Sequence, residues 1–132
     1  MPSSPLALVV LPGTFAVCRL GAEALLPARS FAGPFCSVTR TADELSVVCP
    51  EAAVPEGSHY EGGWRCLRGD GTLDLALVGV LASLLVPLAE AGVSTFAVST
   101  FDTDHLLVRE ADLGRAAEAL RAAGHAIRDG GA

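Results

Sequence analysis

The sequence contains no lysine and few aromatic residues. Its 132 residues include nine basic side chains, all of them arginine, and fifteen acidic ones, which gives a formal net charge of −6. Because nucleic acids attract basic surfaces, this balance disfavours a nucleic-acid partner. Only 18% of the residues are charged while 51% are hydrophobic, which excludes a disordered chain. The composition predicts one ordinary domain or two very small ones around a densely buried core.

Metal-ligand and nucleophile patterns are also missing. The four cysteines have no CxxC pair and no histidine at zinc-ligand spacing, and all lie among apolar neighbours: Cys18, Cys36, Cys49 and Cys66. They are predicted to be free, buried thiols, typical of a protein in a reducing cytoplasm. The three histidines are far apart in the sequence. We therefore expect no metal, no cofactor and no catalytic cysteine.

No apolar run is long enough to span a membrane. The longest, Leu75 to Ala89, is interrupted by Gly79, Ser83 and Pro87 and is shorter than the roughly 18 to 20 residues that a span requires. The first residues lack a basic region and a small-residue cleavage pattern. The sequence predicts a buried helix here, and neither membrane insertion nor secretion.

The first half of the chain reads mainly as strands. The runs 6–11 and 14–20 are separated by Pro-Gly, and they predict either a hairpin or one bent strand. Residues 21–30 allow at most a short, broken helix because Pro27 falls inside them. Two further strands, 35–39 and 45–49, flank a polar connection.

The second half shows clearer periodicity. Residues 51–63 are rich in Pro, Gly, Glu and Ser and make the best candidate linker. The elements predicted after it are strands 64–68, 93–100, 106–109 and 125–128, with helices 75–91 and 113–123. Asp74 is expected to cap the first helix and Gly92 to end it, and Pro87 is expected to kink it or to split off its last turn.

This β-α-β-β-α-β order is the ferredoxin-like pattern. The first half resembles a reduced copy, since a shift of 60 residues places Val38 on Val98 and Glu44 on Asp104. The predicted fold is therefore α+β, with two ferredoxin-like units in tandem, residues 1–62 and 63–132. Each unit has an antiparallel sheet with helices on one face, and the first has reduced helices.

Two motifs carry a resemblance to a known family. They are T-R-T-x-D-E-L-S at 39–46 and S-T-x-D-T-D at 99–104, accompanied by G-G-W-R at 62–65 and the apolar segment 73–82. In this order and separation they resemble short bacterial proteins made of two ACT domains. That family is similar to the ACT pairs of CASTOR-type arginine sensors and to the regulatory end of aspartate kinases. The resemblance implies a non-enzymatic protein that binds a small molecule, often an amino acid, at an ACT–ACT interface.

The residues themselves suit such a ligand. A helix that begins near Asp74 would offer unpaired N–H groups to a carboxylate. The connection Ser99 to Asp104 offers hydroxyls and carboxylates to an ammonium or guanidinium group. The resemblance adds Ser37 and Val38, and either Asp102 or Asp104. The candidate ligand-binding residues are Ser37, Val38, Thr39, Asp74, Gly79, Ser99, Thr100, Phe101, Asp102, Thr103 and Asp104.

The same residues also allow other interpretations of the site and of the function. The segment 99–104 can equally be an ordinary turn rich in turn-forming residues. Gly79 within a helix is expected to be retained by close packing. An apolar helix and an open sheet edge both need cover, which predicts a homodimer. The protein can also be an interaction module without a ligand, or a small enzyme, since the fold hosts many chemistries.

Overall fold

The computed structural model describes residues 5–74 and 76–130. These residues form eight strands and two α-helices, which are β1 (Ala7–Val10), β2 (Phe15–Leu20), β3 (Ser37–Arg40), β4 (Leu45–Pro50), β5 (His59–Gly69), α1 (Val80–Glu90), β6 (Thr95–Ser99), β7 (Asp104–Arg109), α2 (Leu113–Ala122) and β8 (Ala126–Asp129). Three short 3-10 helices lie at Ala28–Phe31, Glu51–Ala53 and Glu110–Asp112. The chain separates into two compact units. The smaller unit is Gly13–Trp64, and the larger unit comprises residues 5–12 and 65–130.

The smaller unit has the ferredoxin-like strand order with 3-10 turns in place of α-helices. Its sheet runs β3-β4-β2-β5, with every neighbouring pair antiparallel, and it uses residues 59–64 of β5. The 3-10 helices Ala28–Phe31 and Glu51–Ala53 occupy the two positions where an α-helix would connect strands. Its core consists of small and aliphatic side chains: Ala16, Cys18, Leu45, Val47, Cys49 and Ala53. The prediction of a first unit with reduced helices is confirmed.

The larger unit repeats the order with full helices and one additional strand. Its sheet runs β6-β7-β5-β1-β8, and β1 is antiparallel to β5 but parallel to β8. Alternate residues of these strands meet both helices in one core, whose buried members are Leu8, Val10, Leu67, Leu84, Leu88, Val93, Leu106, Val108, Ala116 and Leu120. The helices therefore cover one face of the sheet, as predicted.

The position of β1 differs from the prediction. A unit of residues 1–62 would keep β1 with β2, whereas the structure places β1 in the larger unit, where Leu8 pairs with both Gly69 and Ile127. The two runs also do not form a hairpin, because β2 pairs with residues 59–64 of β5 and β1 with residues 67–69. Each run is antiparallel to a different part of β5, which is closer to the alternative of one bent strand.

The predicted linker, 51–63, is ordered structure instead. It begins with a 3-10 turn and ends in the first residues of β5. Glu51 fixes it within the smaller unit: its N–H donates to the Thr14 carbonyl at 3.0 Å, and its Oε1 accepts from the Gly63 N–H at 2.7 Å. These bonds satisfy backbone groups that a free linker would leave to water.

Helix α1 begins later than predicted. Of the expected span 75–91, Leu75 lies outside the described residues, and the helix starts at Val80 after Gly79, whose φ is +83°. This left-handed conformation cannot continue an α-helix and favours glycine. Asp74 caps a preceding turn instead, since its Oδ1 accepts from the Ala76 N–H at 2.9 Å. Close packing does not explain Gly79 either, because a Cβ there would meet nothing within 4 Å in the described part of the chain.

Pro87 neither splits α1 nor ends it at once. The helix continues to Glu90, although proline has no N–H for the Ser83 carbonyl four residues earlier. His125 replaces that donor: its Nε2 lies 3.0 Å from the Ser83 oxygen, while its Nδ1 accepts from the Leu6 N–H at 3.0 Å. Since a backbone N–H must donate, Nδ1 is the unprotonated nitrogen and Nε2 carries the hydrogen. One buried imidazole thus connects α1 to the residue that precedes β1.

Among residues 5–74 and 76–130, no helix combines the length and apolar character that crossing a membrane requires.

Candidate functional site

A cleft of about 350 Å³ opens in the larger unit between two segments. One wall is formed by residues between Leu73 and Ala82, which lead into α1, and the other by Ser99–Asp104, which connect β6 to β7. Both walls belong to the same unit. The two segments predicted as halves of a ligand site therefore face one cavity.

The α1 wall presents backbone donors. The first hydrogen bond of the helix runs from the Ser83 N–H to the Gly79 carbonyl at 2.9 Å. The N–H groups of Val80, Leu81 and Ala82 consequently have no acceptor within the helix, and all three residues line the cleft. They also lie at the positive end of the helix dipole. This wall can hold a carboxylate or another anion.

The opposite wall is a tight turn fixed by its threonines. The Thr100 N–H donates to the Thr103 carbonyl at 2.8 Å, and the Thr100 hydroxyl to the same oxygen at 3.0 Å. The buried Thr103 hydroxyl donates to the Gly69 carbonyl of β5 at 3.1 Å. These two threonines have structural partners, so for them the ordinary turn interpretation holds.

The two aspartates of this turn have different surroundings. Asp104 is half-buried at the start of β7, and its Oδ1 accepts from the Ser99 hydroxyl at 2.6 Å. Asp102 is exposed, and its backbone carbonyl accepts from the Leu73 N–H at 2.6 Å. A carboxylate can accept about four hydrogen bonds, so Asp104 is oriented by Ser99 and keeps capacity for a ligand cation.

His105 follows Asp104 and is buried. Burial lowers the pKa of the imidazole, and the nearby Arg68 guanidinium lowers it further, while Asp104 opposes both effects. His105 is therefore neutral at pH 7. It adds no positive charge beside the Asp104 carboxylate.

The predicted site residues divide into two groups. Asp74, Gly79 and all six residues of Ser99–Asp104 line the cleft. Ser37, Val38 and Thr39 lie on β3, the edge strand of the smaller unit, and are not part of the described lining. Five lining residues were not predicted from the sequence, and these are Leu73, Leu77, Val80, Leu81 and Ala82. Reading Gly79 as a helix start would have found the last three.

Exposed apolar side chains occur in the lining of the cleft and next to it in the sequence, and Phe101, Leu77 and Val78 are called the apolar rim below. Phe101 is 79% exposed and Leu77 54% exposed, and both line the cleft. The adjacent Val78 is 91% exposed. Large exposed apolar side chains close together are typical of a surface that another molecule covers.

The thiols lie outside this cleft and are unreactive. All four cysteines are free, and burial raises the pKa of Cys49 and of Cys66 to about 12. A thiol with so high a pKa is not ionised near neutral pH and is a poor nucleophile. Within the residues that the structure describes, no group of three or more His, Cys, Asp or Glu side chains could hold a metal ion.

Family models match both parts of the chain. Residues 59–122 match a model described as an ACT domain, and residues 13–57 match the N-terminal domain of a second family model. The first match contains both walls of the cleft.

Curated relatives match a shorter segment. The cytosolic arginine sensor for mTORC1 subunit 1 of Homo sapiens is 39% identical over 59 residues, which is 44% of this chain and 18% of that protein. The protein of the same name from Bos taurus matches with the same values. The chain thus spans less than a fifth of the curated relatives it matches.

Solved structures match nearly the whole chain. A protein from Agrobacterium tumefaciens is 38% identical, with a TM-score of 0.91, over 98% of this chain and 97% of that one. Aspartate kinase from Clostridium acetobutylicum gives a TM-score of 0.68 at 12% identity, over 93% of this chain and 35% of the kinase chain. The regulatory subunit of aspartate kinase from Thermus thermophilus gives 0.63 at 9% identity, over 89% and 96%. The last two likenesses concern the fold alone.

Proposed function

The chain belongs to the ACT-domain family, and we propose that it is a non-catalytic regulatory protein that binds a free amino acid in the cleft of its larger unit. The observation that carries this proposal is the polarity of the two cleft walls. Backbone donors at the start of α1 stand on one side and the Ser99–Asp104 pair on the other.

An α-amino acid has matching poles. Its carboxylate suits the N–H groups of Val80, Leu81 and Ala82, where the helix dipole adds a favourable positive end. Its ammonium group, or a cationic side chain, suits Asp104, whose carboxylate Ser99 already orients. Asp104 is the better candidate of the two aspartates, because it is half-buried and Asp102 is exposed.

The exposed apolar rim supports binding at an interface between ACT units. Phe101 and Leu77 at the mouth would be covered if a second copy of the chain packed over the cleft. The bound ligand would then be enclosed between two ACT units of a homodimer. Ser37, Val38 and Thr39, on the edge strand β3, are proposed for the facing unit. The free thiols are consistent with a cytoplasmic protein.

Arginine is the first ligand to test, since the curated relatives are named arginine sensors. A thermal-shift screen of the twenty amino acids should show a stabilised protein with one or a few of them. A ligand at 100 times its Kd adds about 2.7 kcal/mol to the free energy of unfolding. Isothermal titration calorimetry then gives the affinity.

Two charge-neutralising variants test the assignment of Asp104. Asp104→Asn keeps the size and removes the charge, and it should weaken binding about 10- to 100-fold, since a hydrogen bond to a charged group contributes roughly 1.5–3 kcal/mol. Asp43→Asn is the matched control, because Asp43 is exposed on the turn between β3 and β4 and does not line the cleft. Equal affinity of the Asp104 variant and the wild type would place the cation elsewhere.

The same rim favours a second candidate function, a protein-interaction module without a ligand. The exposed Phe101 and Val78 are as suitable for a partner protein as for a second copy. No thermal shift with any amino acid, together with loss of the oligomer in Phe101→Ser by size-exclusion chromatography with light scattering, would support the module. A shift that disappears in Asp104→Asn would support the amino-acid site.

A further inference from the structure

A second cleft, of about 280 Å³, lies in the larger unit beside α2. It is bounded by that helix and by residues of β1, β5 and β8, and it is lined by different residues from the first cleft. Its apolar surface comes from Leu113, Ala117 and Ile127. Three arginines, Arg65, Arg121 and Arg128, also line it.

Arg65 has more hydrogen-bond donors than partners. Its side chain is only 20% exposed, and its buried Nε has no hydrogen-bond partner among the described residues. One terminal nitrogen donates to the Leu11 carbonyl at a long 3.5 Å, and the other lies 3.9 Å from a Glu110 carboxylate oxygen, beyond hydrogen-bond distance. Since a guanidinium carries five N–H donors, most of those of Arg65 are available. A buried group in this state calls for an additional acceptor.

Arg121 is held nearby by a single backbone contact. Its Nη2 donates to the Ile127 carbonyl at 3.0 Å, which fixes the guanidinium at the cleft and leaves other donors. Gly114 also lines the cleft and leaves space in it. A Cβ at Gly114 would meet nothing within 4 Å among the described atoms, and its φ lies outside the left-handed range. Alanine favours a helix more than glycine does. The helix backbone therefore does not require glycine at position 114, where the missing side chain leaves space in the cleft.

We propose that the second cleft binds a small monocarboxylate with a branched aliphatic body. The carboxylate accepts from Arg65 and Arg121, because the planar guanidinium matches its two oxygens, and the body packs on Leu113 and Ala117. Asp129 also lines the cleft, and its negative charge disfavours a dianion such as phosphate. Arg128, the third arginine of the lining, pairs with Asp70 at 3.3 Å, which leaves Arg65 and Arg121 for the ligand.

The first experiment is a titration of the full chain with 4-methylpentanoate, followed by two-dimensional 1H–15N NMR. Saturable shifts are expected at the Gly114 amide and at the Arg65 Nε–H. The neutral 4-methylpentanamide has the same shape and should bind at least tenfold more weakly, and inorganic phosphate should give no saturable shift. Equal binding of the amide, stronger binding of phosphate, or shifts confined to other residues would overturn the proposal.

Variants separate this cleft from the first. Gly114→Leu places a side chain in the free space and should abolish the shifts at Arg65 while the protein stays folded, since leucine favours a helix. Arg65→Gln should weaken binding at least tenfold. Arg115→Gln is the matched control on the same helix, because Arg115 pairs with Asp112 at 2.9 Å and does not line the cleft. Unchanged binding in Gly114→Leu would refute the site even if Arg65→Gln fails to fold.

Asp104→Asn distinguishes the two proposals. It should weaken amino-acid binding in the first cleft and leave the 4-methylpentanoate titration unchanged, because the two clefts have separate linings. Loss of both ligands in this variant would contradict the independence of the second cleft.

Discussion

Removal of His125 should destabilise the protein strongly, because its buried ring is the hydrogen-bond partner of two half-buried backbone groups. In His125→Ala the Ser83 carbonyl and the Leu6 N–H both lose their partner. An unsatisfied buried polar group costs about 1–3 kcal/mol, and each of these half-buried groups should cost an amount at the lower end of that range. Together with the cavity left by the ring, the expected loss in the free energy of unfolding is about 3–5 kcal/mol. Such a loss is a large part of the roughly 5–15 kcal/mol that stabilises a typical domain.

Pro87→Ala tests whether the His125 ring replaces the missing helix donor. Alanine restores the N–H that α1 lacks at this position, so the Ser83 carbonyl regains a donor within the helix. In that background His125→Ala leaves only the Leu6 N–H unpaired. The cost of removing the imidazole should therefore fall by about 1–2 kcal/mol, which is the expected coupling energy of the double-mutant cycle.

Urea unfolding followed by far-ultraviolet circular dichroism measures all four corners of the cycle. His59→Ala is the matched control, since His59 is exposed on β5, and its effect should stay within about 0.5 kcal/mol. If His125→Ala and Pro87→Ala are additive within about 0.5 kcal/mol, the imidazole does not replace the missing proline N–H.

Three further predictions concern single positions. His105 has a lowered pKa in the folded protein, so the unfolded chain binds the additional proton first as the pH falls. The contribution of His105 to stability should be complete above about pH 6.5 and should be lost as the pH drops towards the folded pKa. His105→Gln should remove this part of the pH dependence, measured by urea unfolding at pH 5–7.5. Gly79→Ala should lose about 1–2 kcal/mol by thermal unfolding, because φ is +83° there, and an equal or higher Tm would contradict the argument from positive φ. Cys49 and Cys66 should react with a disulfide reagent only after unfolding, since both are buried with a pKa near 12, and rapid labelling of the native protein would refute their assignment as unreactive thiols.

The order of the secondary-structure elements could be predicted because it depends on local residue patterns. Strands with alternating apolar residues and a helix with an apolar face from 113 onward appear at a spacing that only a few folds share. The observed α2, Leu113–Ala122, agrees with the predicted 113–123 within one residue. The ferredoxin-like order of the second half follows from these patterns, and the first unit was predicted from its likeness to that half.

The partners of β1 could not be predicted in the same way. Residues 6–11 are uniformly apolar, and such a run suits either neighbour in a sheet. Its parallel pairing with β8 depends on contacts across most of the chain, such as the bond between Leu6 and His125, 119 residues apart. Local rules do not contain information at that distance, so the predicted boundary assigned β1 to the first unit.

The start of α1 shows how one backbone angle can overrule a preference. Local capping rules rank aspartate above glycine at a helix N-terminus, and the residues after Asp74 are apolar enough to read as helix. The φ of +83° at Gly79 nevertheless sets the first turn at Val80. A single glycine inside an apolar run has two interpretations, a weak point within a helix or its start, and only the backbone distinguishes them.

The two walls of the first cleft also differed in how well the sequence predicted them. Ser99 and Asp104 act through their side chains, and polar residues between two apolar strands are easily recognised in a sequence. The α1 wall acts through the backbone N–H groups of Val80, Leu81 and Ala82, whose side chains carry no sign of that role. In a site that pairs side-chain acceptors with backbone donors, sequence patterns therefore predict the side-chain half. The other half is found only when the turn that sets the helix start is known.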